Sequence, residues 1–148
     1  MHRDIKLDNI FVKSKRTLVQ GKLDSHDYKI EHYEFKIGDF GLATRCRAQD
    51  EFHVTFCGTP LHMAPEVLQR NHPYNQKADV WSLGTILFQM LTGERPYSGK
   101  DLNDLNQRVQ TSEYAIPRKM LVSPSLIKFL NSCLRIDSKK RLGWDELR

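Results

Sequence analysis

The sequence is short of several things, and each shortage narrows what the chain can be. Cysteine is scarce: Cys46, Cys57 and Cys133 are odd in number and widely spaced, a pattern that builds neither a disulfide framework nor a zinc site. No apolar run approaches the length needed to cross a bilayer. The opening Met1-His2-Arg3-Asp4-Ile5-Lys6 has none of the hydrophobic stretch of a secretion signal. A reducing compartment follows as the expectation, the cytoplasm or else the nucleus. Internal repeats, low-complexity tracts and interdomain linkers are all missing. Acidic residues fall short of basic ones, 18 against 23 for a net charge of +5, which taken alone admits an anionic partner such as nucleic acid or phosphate. The basic residues are scattered, though, with no aromatic-basic stripe, so no nucleic-acid partner is expected. What remains is a globular composition, 39% hydrophobic and 28% charged over 148 residues, enough for one domain with a buried core.

Along the chain, Ile10-Phe11-Val12 and Phe35-Lys36-Ile37 read as two short strands. The polar stretch between them has no sustained periodicity and far exceeds an ordinary hairpin loop, which marks an insertion at about 13–34. Residues 39–66, rich in Gly, Pro, Thr and charge, read as one long functional loop. From Lys77 to Thr92 the spacing predicts a helix: Val80, Leu83, Gly84, Leu87 and Leu91 share one face, while Trp81, Ile86, Phe88 and Met90 cover the others. A helix apolar nearly all round is a buried one, and Gly93 supplies its stop. Leu102, Leu105 and Val109 mark a shorter amphipathic helix. Ser123-Pro124 is a cap followed by a good first helical residue, with Leu126, Ile127, Leu130 and Leu134 as the apolar stripe behind it.

The segment His2-Arg3-Asp4-Ile5-Lys6-Leu7-Asp8-Asn9 resembles the catalytic loop of the protein kinases, with an Asp and an Asn five residues apart and a Lys between them. Phosphoryl transfer is mostly positioning and charge neutralisation: a carboxylate orients the attacking hydroxyl, and a neutral oxygen helps hold magnesium. The resemblance implies that Asp4 accepts the proton of the substrate hydroxyl. It implies further that Asn9 is a ligand of Mg2+ and that Lys6 offsets charge on the phosphate in transit. Asp39-Phe40-Gly41 by itself is a plausible turn. Directly after the second strand, it resembles the family's metal-binding motif, implying that Asp39 holds the magnesium that bridges the phosphates of ATP. Phe40, with Gly41, would then set the active or inactive arrangement.

Gly58-Thr59-Pro60 followed by Ala64-Pro65-Glu66 resembles the end of the family's activation segment. The likeness implies that the Thr59 hydroxyl meets Asp4 and Lys6, a feature that, with Lys6, marks Ser or Thr rather than Tyr as acceptor. Thr55 stands at the family's activating phosphosite, a target for an upstream kinase or for self-phosphorylation; the alternative is an ordinary loop threonine. Arg3, and secondarily Arg45, would partner a phosphate there. Asp79-Val80-Trp81-Ser82-Leu83-Gly84 resembles the start of the family's buried central helix, whose Asp anchors the catalytic loop, and Arg141 stands where the family pairs an Arg with Glu66. Without the resemblance, Asp79 reads as a helix cap and Arg141 as a solvated cation. Phe11 would form the floor under the adenine ring; without the resemblance it is a plain core aromatic, and the two readings are compatible.

These motifs stand in family order across essentially the whole chain. The expected fold is mainly α: the C-terminal lobe of a eukaryotic Ser/Thr protein kinase catalytic domain, with a short β-hairpin carrying the catalytic and metal-binding loops and the N-terminal lobe absent. Residues 1–148 read as a partial kinase domain, since no Gly-rich phosphate loop and no strand Lys paired with a helix Glu lie among them. Lobe-facing apolar groups are expected to be exposed, and these residues alone to transfer little phosphate. Lys6-Leu7, Phe11 and Gly38 to Thr44 are similar to polo-type and mitotic NIMA-related kinases; Tyr74 to Ile86 and the long insertion are similar to autophagy-initiation kinases. Gln89, where basic-directed kinases carry Glu, argues against a strict requirement for Arg before the acceptor, although Asp8 keeps the other acidic position. The function expected is transfer of the ATP γ-phosphate to protein substrates; the rival is a truncated kinase-like lobe that works by binding. A phosphate- or nucleic-acid-binding protein rests only on net charge.

Overall fold

The computed structural model describes residues 1–15, 33–48, 51–117 and 120–147. Strands β1 (Ile10–Ser14) and β2 (Tyr33–Ile37) pair antiparallel as a two-stranded sheet, with Ile10 opposite Ile37 and Ser14 opposite Tyr33. Each strand is two residues longer than the apolar triplets alone suggest, because Lys13 and Glu34 face each other across the ladder as an opposite-charge pair. Lys13, Ser14, Tyr33 and Glu34 therefore belong to the sheet rather than to the expected insertion, whose positions 16–32 lie outside the described residues.

The helical part consists of α1 (Pro65–Leu68), α2 (Lys77–Thr92), α3 (Leu102–Thr111) and α4 (Pro124–Cys133). The short α1 falls at the end of the stretch that reads in sequence as loop, and opens on Pro65, whose ring presets the first helical residue. In α2, Val80, Trp81, Ile86 and Phe88 are buried as the pattern requires, and the helix stops at Gly93, φ 76°, whose N–H returns to the Gln89 carbonyl at 2.8 Å. Met90 departs from expectation: it is 70% exposed, because periodicity records that a face is apolar without supplying a neighbour to cover it. In α4, likewise, Leu130 is buried and the following Leu134 with it, whereas Ile127 is exposed. Ser123 caps α4 by accepting from the Leu126 N–H at 3.2 Å, and Asp101 caps α3 by accepting from Asn103 and Asp104 at 2.8 and 2.9 Å. Each cap contributes on the order of 1 kcal/mol.

The core lies where α2 crosses α4 and α1 meets α3. Trp81 stacks on Tyr97 at 5.9 Å between ring centroids, Phe88 meets Tyr114 edge-on at 5.4 Å, and Leu105, Val109 and Leu130 fill the space around them. No helix among the described residues is long and apolar enough to cross a membrane. The hairpin stands outside this core: Val12, Phe35 and Ile37 share one face and are all exposed.

Candidate active site

The hairpin gathers the polar groups. Because Ile10 faces Ile37, the residues just outside the ladder are Asn9 on one strand and Gly38 on the other, and the Gly38 N–H donates to the Asn9 carbonyl at 2.9 Å. Asp39 is thereby held next in line beside the catalytic-loop stretch. Residues distant in sequence come together at Asp4. The Thr59 hydroxyl donates to Asp4 Oδ1 at 2.6 Å, and Lys6 Nζ lies 3.0 Å from Asp4 Oδ2 and 3.1 Å from Thr59 Oγ1. Asn9 Nδ2 donates to the Asp4 carbonyl at 2.9 Å. Burial acts to push the Asp4 carboxyl up, but hydrogen bonds from Thr59 and Lys6 and the Lys6 charge outweigh it, and the net shift is below the ordinary Asp value. Asp4 is thus an ionised acceptor, fixed on two sides, that can orient a hydroxyl group and take up its proton.

Two backbone strains hold this arrangement. Arg3, at φ 72°, and Asp39, at φ 58°, are non-glycine residues in the left-handed region, a cost of about 1–3 kcal/mol each that the surroundings must offset. For Arg3 the offset is Asp79 at the start of α2: its Oδ2 accepts from the His2 N–H at 2.7 Å and its Oδ1 from the Arg3 N–H at 2.8 Å. Burial pushes the Asp79 carboxyl up, and those two backbone donors pull it back only partly. Asp79 therefore braces the catalytic loop rather than capping its own helix. Asp39 relieves its strain locally by accepting from the Gly41 N–H at 3.3 Å.

Magnesium chemistry asks for hard oxygen donors. The Asp39 carboxylate is exposed and, among the described residues, engaged by that one long bond. Asn9 has its amide nitrogen committed to Asp4, and no group among the described residues donates to its oxygen. These donors fit the ion. Phe40 is 63% exposed and meets the His2 ring edge-on at 5.0 Å, while His2 Nε2 bonds the Gly38 carbonyl at 2.9 Å. Phe11 is 59% exposed, outside the core of the described residues, and its ring lies so close to Gly38 that a Cβ there would come within 2.4 Å.

Other expected positions lie apart. Glu66 and Arg141 form a bidentate pair at 2.6 and 2.8 Å, with Arg141 1% exposed, so the solvated-cation alternative does not hold. The Thr55 side chain is exposed, and the Arg3 side chain instead donates from Nε to the Leu42 carbonyl at 2.5 Å.

Two residues at the site have roles that the sequence does not assign. Gly58, at φ 110°, sits so close to the Arg3 carbonyl that an added Cβ would lie 2.4 Å away, so only glycine lets the activation segment meet the catalytic loop. Its place directly before Thr59-Pro60 was the available signal. His62 is buried, with Nδ1 2.7 Å from Thr85 Oγ1. Thr85 donates its own hydroxyl to the Ser82 carbonyl at 2.7 Å, so it accepts from an Nδ1–H tautomer of His62. Burial, then the charge of Arg95, lowers the His62 pKa below the ordinary histidine value. The unfolded chain therefore binds more protons as pH falls below that value, and stability falls with it. Thermal midpoints measured from about pH 8 to about pH 5 are expected to drop less for His62→Gln than for the wild type. Asp79 works in the opposite sense, its raised pKa giving stability that is lost as pH rises, so the difference between the two proteins isolates His62.

A family model described as "Protein kinase domain" matches residues 1–148. Among curated proteins, the chain is 38% identical over 148 residues to "Serine/threonine-protein kinase atg1" of Dictyostelium discoideum, covering 99% of this chain and 19% of that protein. It is 33% identical over 148 residues to "Cell cycle serine/threonine-protein kinase CDC5/MSD2" of Saccharomyces cerevisiae, covering 99% and 19%. To "Serine/threonine-protein kinase PLK1" of Xenopus laevis it is 34% identical over 148 residues, covering 99% and 21%. The chain thus spans about a fifth of the length of these relatives.

Proposed function

The chain belongs to the protein kinase family, and on that footing we propose that its full-length gene product transfers the γ-phosphate of ATP, with magnesium, to serine and threonine hydroxyls of protein substrates. The observation that carries this is the Asp4–Lys6–Thr59 triangle: an ionised carboxylate, an ammonium and a hydroxyl, all within 3.1 Å of one another. Asp4 orients the acceptor hydroxyl and takes its proton. Lys6, still partly open to solvent, places its charge where the transferring phosphate gains negative charge. Asn9 and Asp39 would hold the metal, which neutralises charge on the nucleotide phosphates. Phe11 lies against Gly38 as an apolar platform for a base. Thr55, exposed, is open to modification by another kinase or by self-phosphorylation. In this proposal residues 1–148 are part of one kinase domain, and they transfer little phosphate by themselves because no Gly-rich loop lies among them.

Nucleotide titration of the gene product tests the metal-binding part. ATP is expected to bind more tightly with magnesium than without, and Asp39→Ala to lose that difference while keeping the magnesium-free affinity. Equal magnesium dependence in wild type and variant would remove Asp39 from its role. One observation favours a second reading, a kinase-like lobe that works by binding: the exposed face of Val12, Phe35 and Ile37 is of the type that partners cover. Magnesium-dependent binding without any transfer would favour that reading.

A further inference from the structure

The activation segment is held on both sides of Thr55 by the loop that precedes α2. His53 and Tyr74 form an antiparallel bridge, N–H to carbonyl at 2.8 and 2.9 Å. Tyr74 is 3% exposed and donates its hydroxyl to the Thr55 backbone carbonyl at 2.6 Å. One residue further on, the Arg70 guanidinium lies 4.6 Å over the Phe56 ring. Arg70 and Asn71 reach that position at φ 27° and 62°, a strained turn that persists only where its surroundings over-determine it. The Cys57 thiol, two residues beyond Thr55, lies 4.0 Å from the same hydroxyl. One buried tyrosine therefore holds the segment twice, through its backbone at His53 and through its hydroxyl at the peptide carbonyl of the exposed Thr55.

We infer that Tyr74 is a positioning residue: its hydroxyl ties the backbone of the activation segment at Thr55 to the loop that precedes α2, independently of the Thr55 side chain, and so keeps Thr59 seated on Asp4. Thr59 is four residues beyond the tie and Gly58 sits against the Arg3 carbonyl, so slack at Thr55 passes directly to the hydroxyl that fixes Asp4. Burial acts to raise the Tyr74 pKa, which keeps the hydroxyl protonated as a donor through the physiological range. Thr59 bonds Asp4, the carboxylate proposed to orient the acceptor hydroxyl, so in that reaction loosening the segment weakens acceptor binding first. The acceptor part of the inference rests on the proposed kinase activity; the tether does not.

The test is Tyr74→Phe, which keeps the ring and removes the hydroxyl, in the full-length gene product. Hydrogen exchange at the bridged amides of His53 and Tyr74 is expected to accelerate about tenfold, the effect of one net hydrogen bond, with the α2 amides unchanged. The KM for dephosphorylated casein is expected to rise about threefold to tenfold, while the KM for ATP holds. Thr55→Ala keeps the carbonyl and is expected to retain wild-type protection at both amides. Unchanged exchange in Tyr74→Phe, or lost protection in Thr55→Ala, overturns the tether. A lower thermal midpoint with faster exchange throughout α2 makes Tyr74 an ordinary core residue and also overturns it. A raised exchange rate with an unaltered casein KM overturns the link to the acceptor. Absence of transfer by the wild type is failure of the kinase proposal alone, since exchange still reports on the tether.

Discussion

Arg141→Met is expected to remove roughly 3–5 kcal/mol of folding stability, a large part of the 5–15 kcal/mol typical of a domain. The reason is what the substitution leaves behind. Glu66 is buried and its two carboxylate oxygens receive the Arg141 guanidinium, so without that partner a charge stays in the interior uncompensated. The three remaining Arg141 hydrogens also go to carbonyls, Arg135 at 2.9 Å, Lys77 at 3.0 Å and Ile136 at 3.3 Å, and the guanidinium lies 5.1 Å over the Trp81 ring. The pair thereby fastens the end of the activation segment to α2 and to the segment after α4. Glu66→Gln is expected to cost less, because those carbonyls still receive the arginine. The double replacement Glu66→Leu with Arg141→Met should be less destabilised than Arg141→Met alone, since no charge is then left buried. Denaturant midpoints of the variants measure this ordering; a double variant no better than Arg141→Met would mean that the carbonyl contacts, and not the ion pair, carry the effect.

Asp4→Asn is expected to lower kcat by about 10²–10⁴ with little change in the thermal midpoint or in the KM for ATP. An asparagine oxygen can still accept the Thr59 hydroxyl, so the local geometry survives, but it cannot take a proton and leaves Lys6 without its counter-charge. In the wild type, Asp4 stays ionised below the ordinary carboxylate range because bonds from Thr59 and Lys6 outweigh its burial. In the proposed reaction, activity that depends on this base is therefore expected to persist as pH falls, until pH drops below that depressed pKa. Steady-state kinetics on both proteins across the acid range check the magnitude and the sign together.

Much of the site was legible because its chemistry is written in contiguous strings. His2 to Asn9, Asp39 to Gly41 and Gly58 to Glu66 each place several roles in a few residues. Two short strands then explain how the first pair of strings meet. The buried α2 and the Ser123 cap were legible too, since helical period and capping are local properties. Other features depend on contacts between distant residues. That Arg3 and Asp39 take left-handed backbones follows from Asp79 and from a local bond, neither of which composition announces. The Tyr74 bond to Thr55 spans nineteen residues and carries no local pattern. Met90 and Ile127 were misplaced for a related reason: apolar spacing identifies a face, whereas its burial requires a neighbour that only the tertiary fold can supply.

The measurement that bears most directly on the central claim is transfer of labelled γ-phosphate from magnesium-ATP to a mixed protein acceptor by the full-length gene product, with Asp4→Asn alongside and the products hydrolysed to phosphoamino acids. The account predicts phosphoserine and phosphothreonine without phosphotyrosine from the wild type, and almost none from Asp4→Asn. Equal transfer by both proteins, or no transfer by a folded wild type, would contradict it.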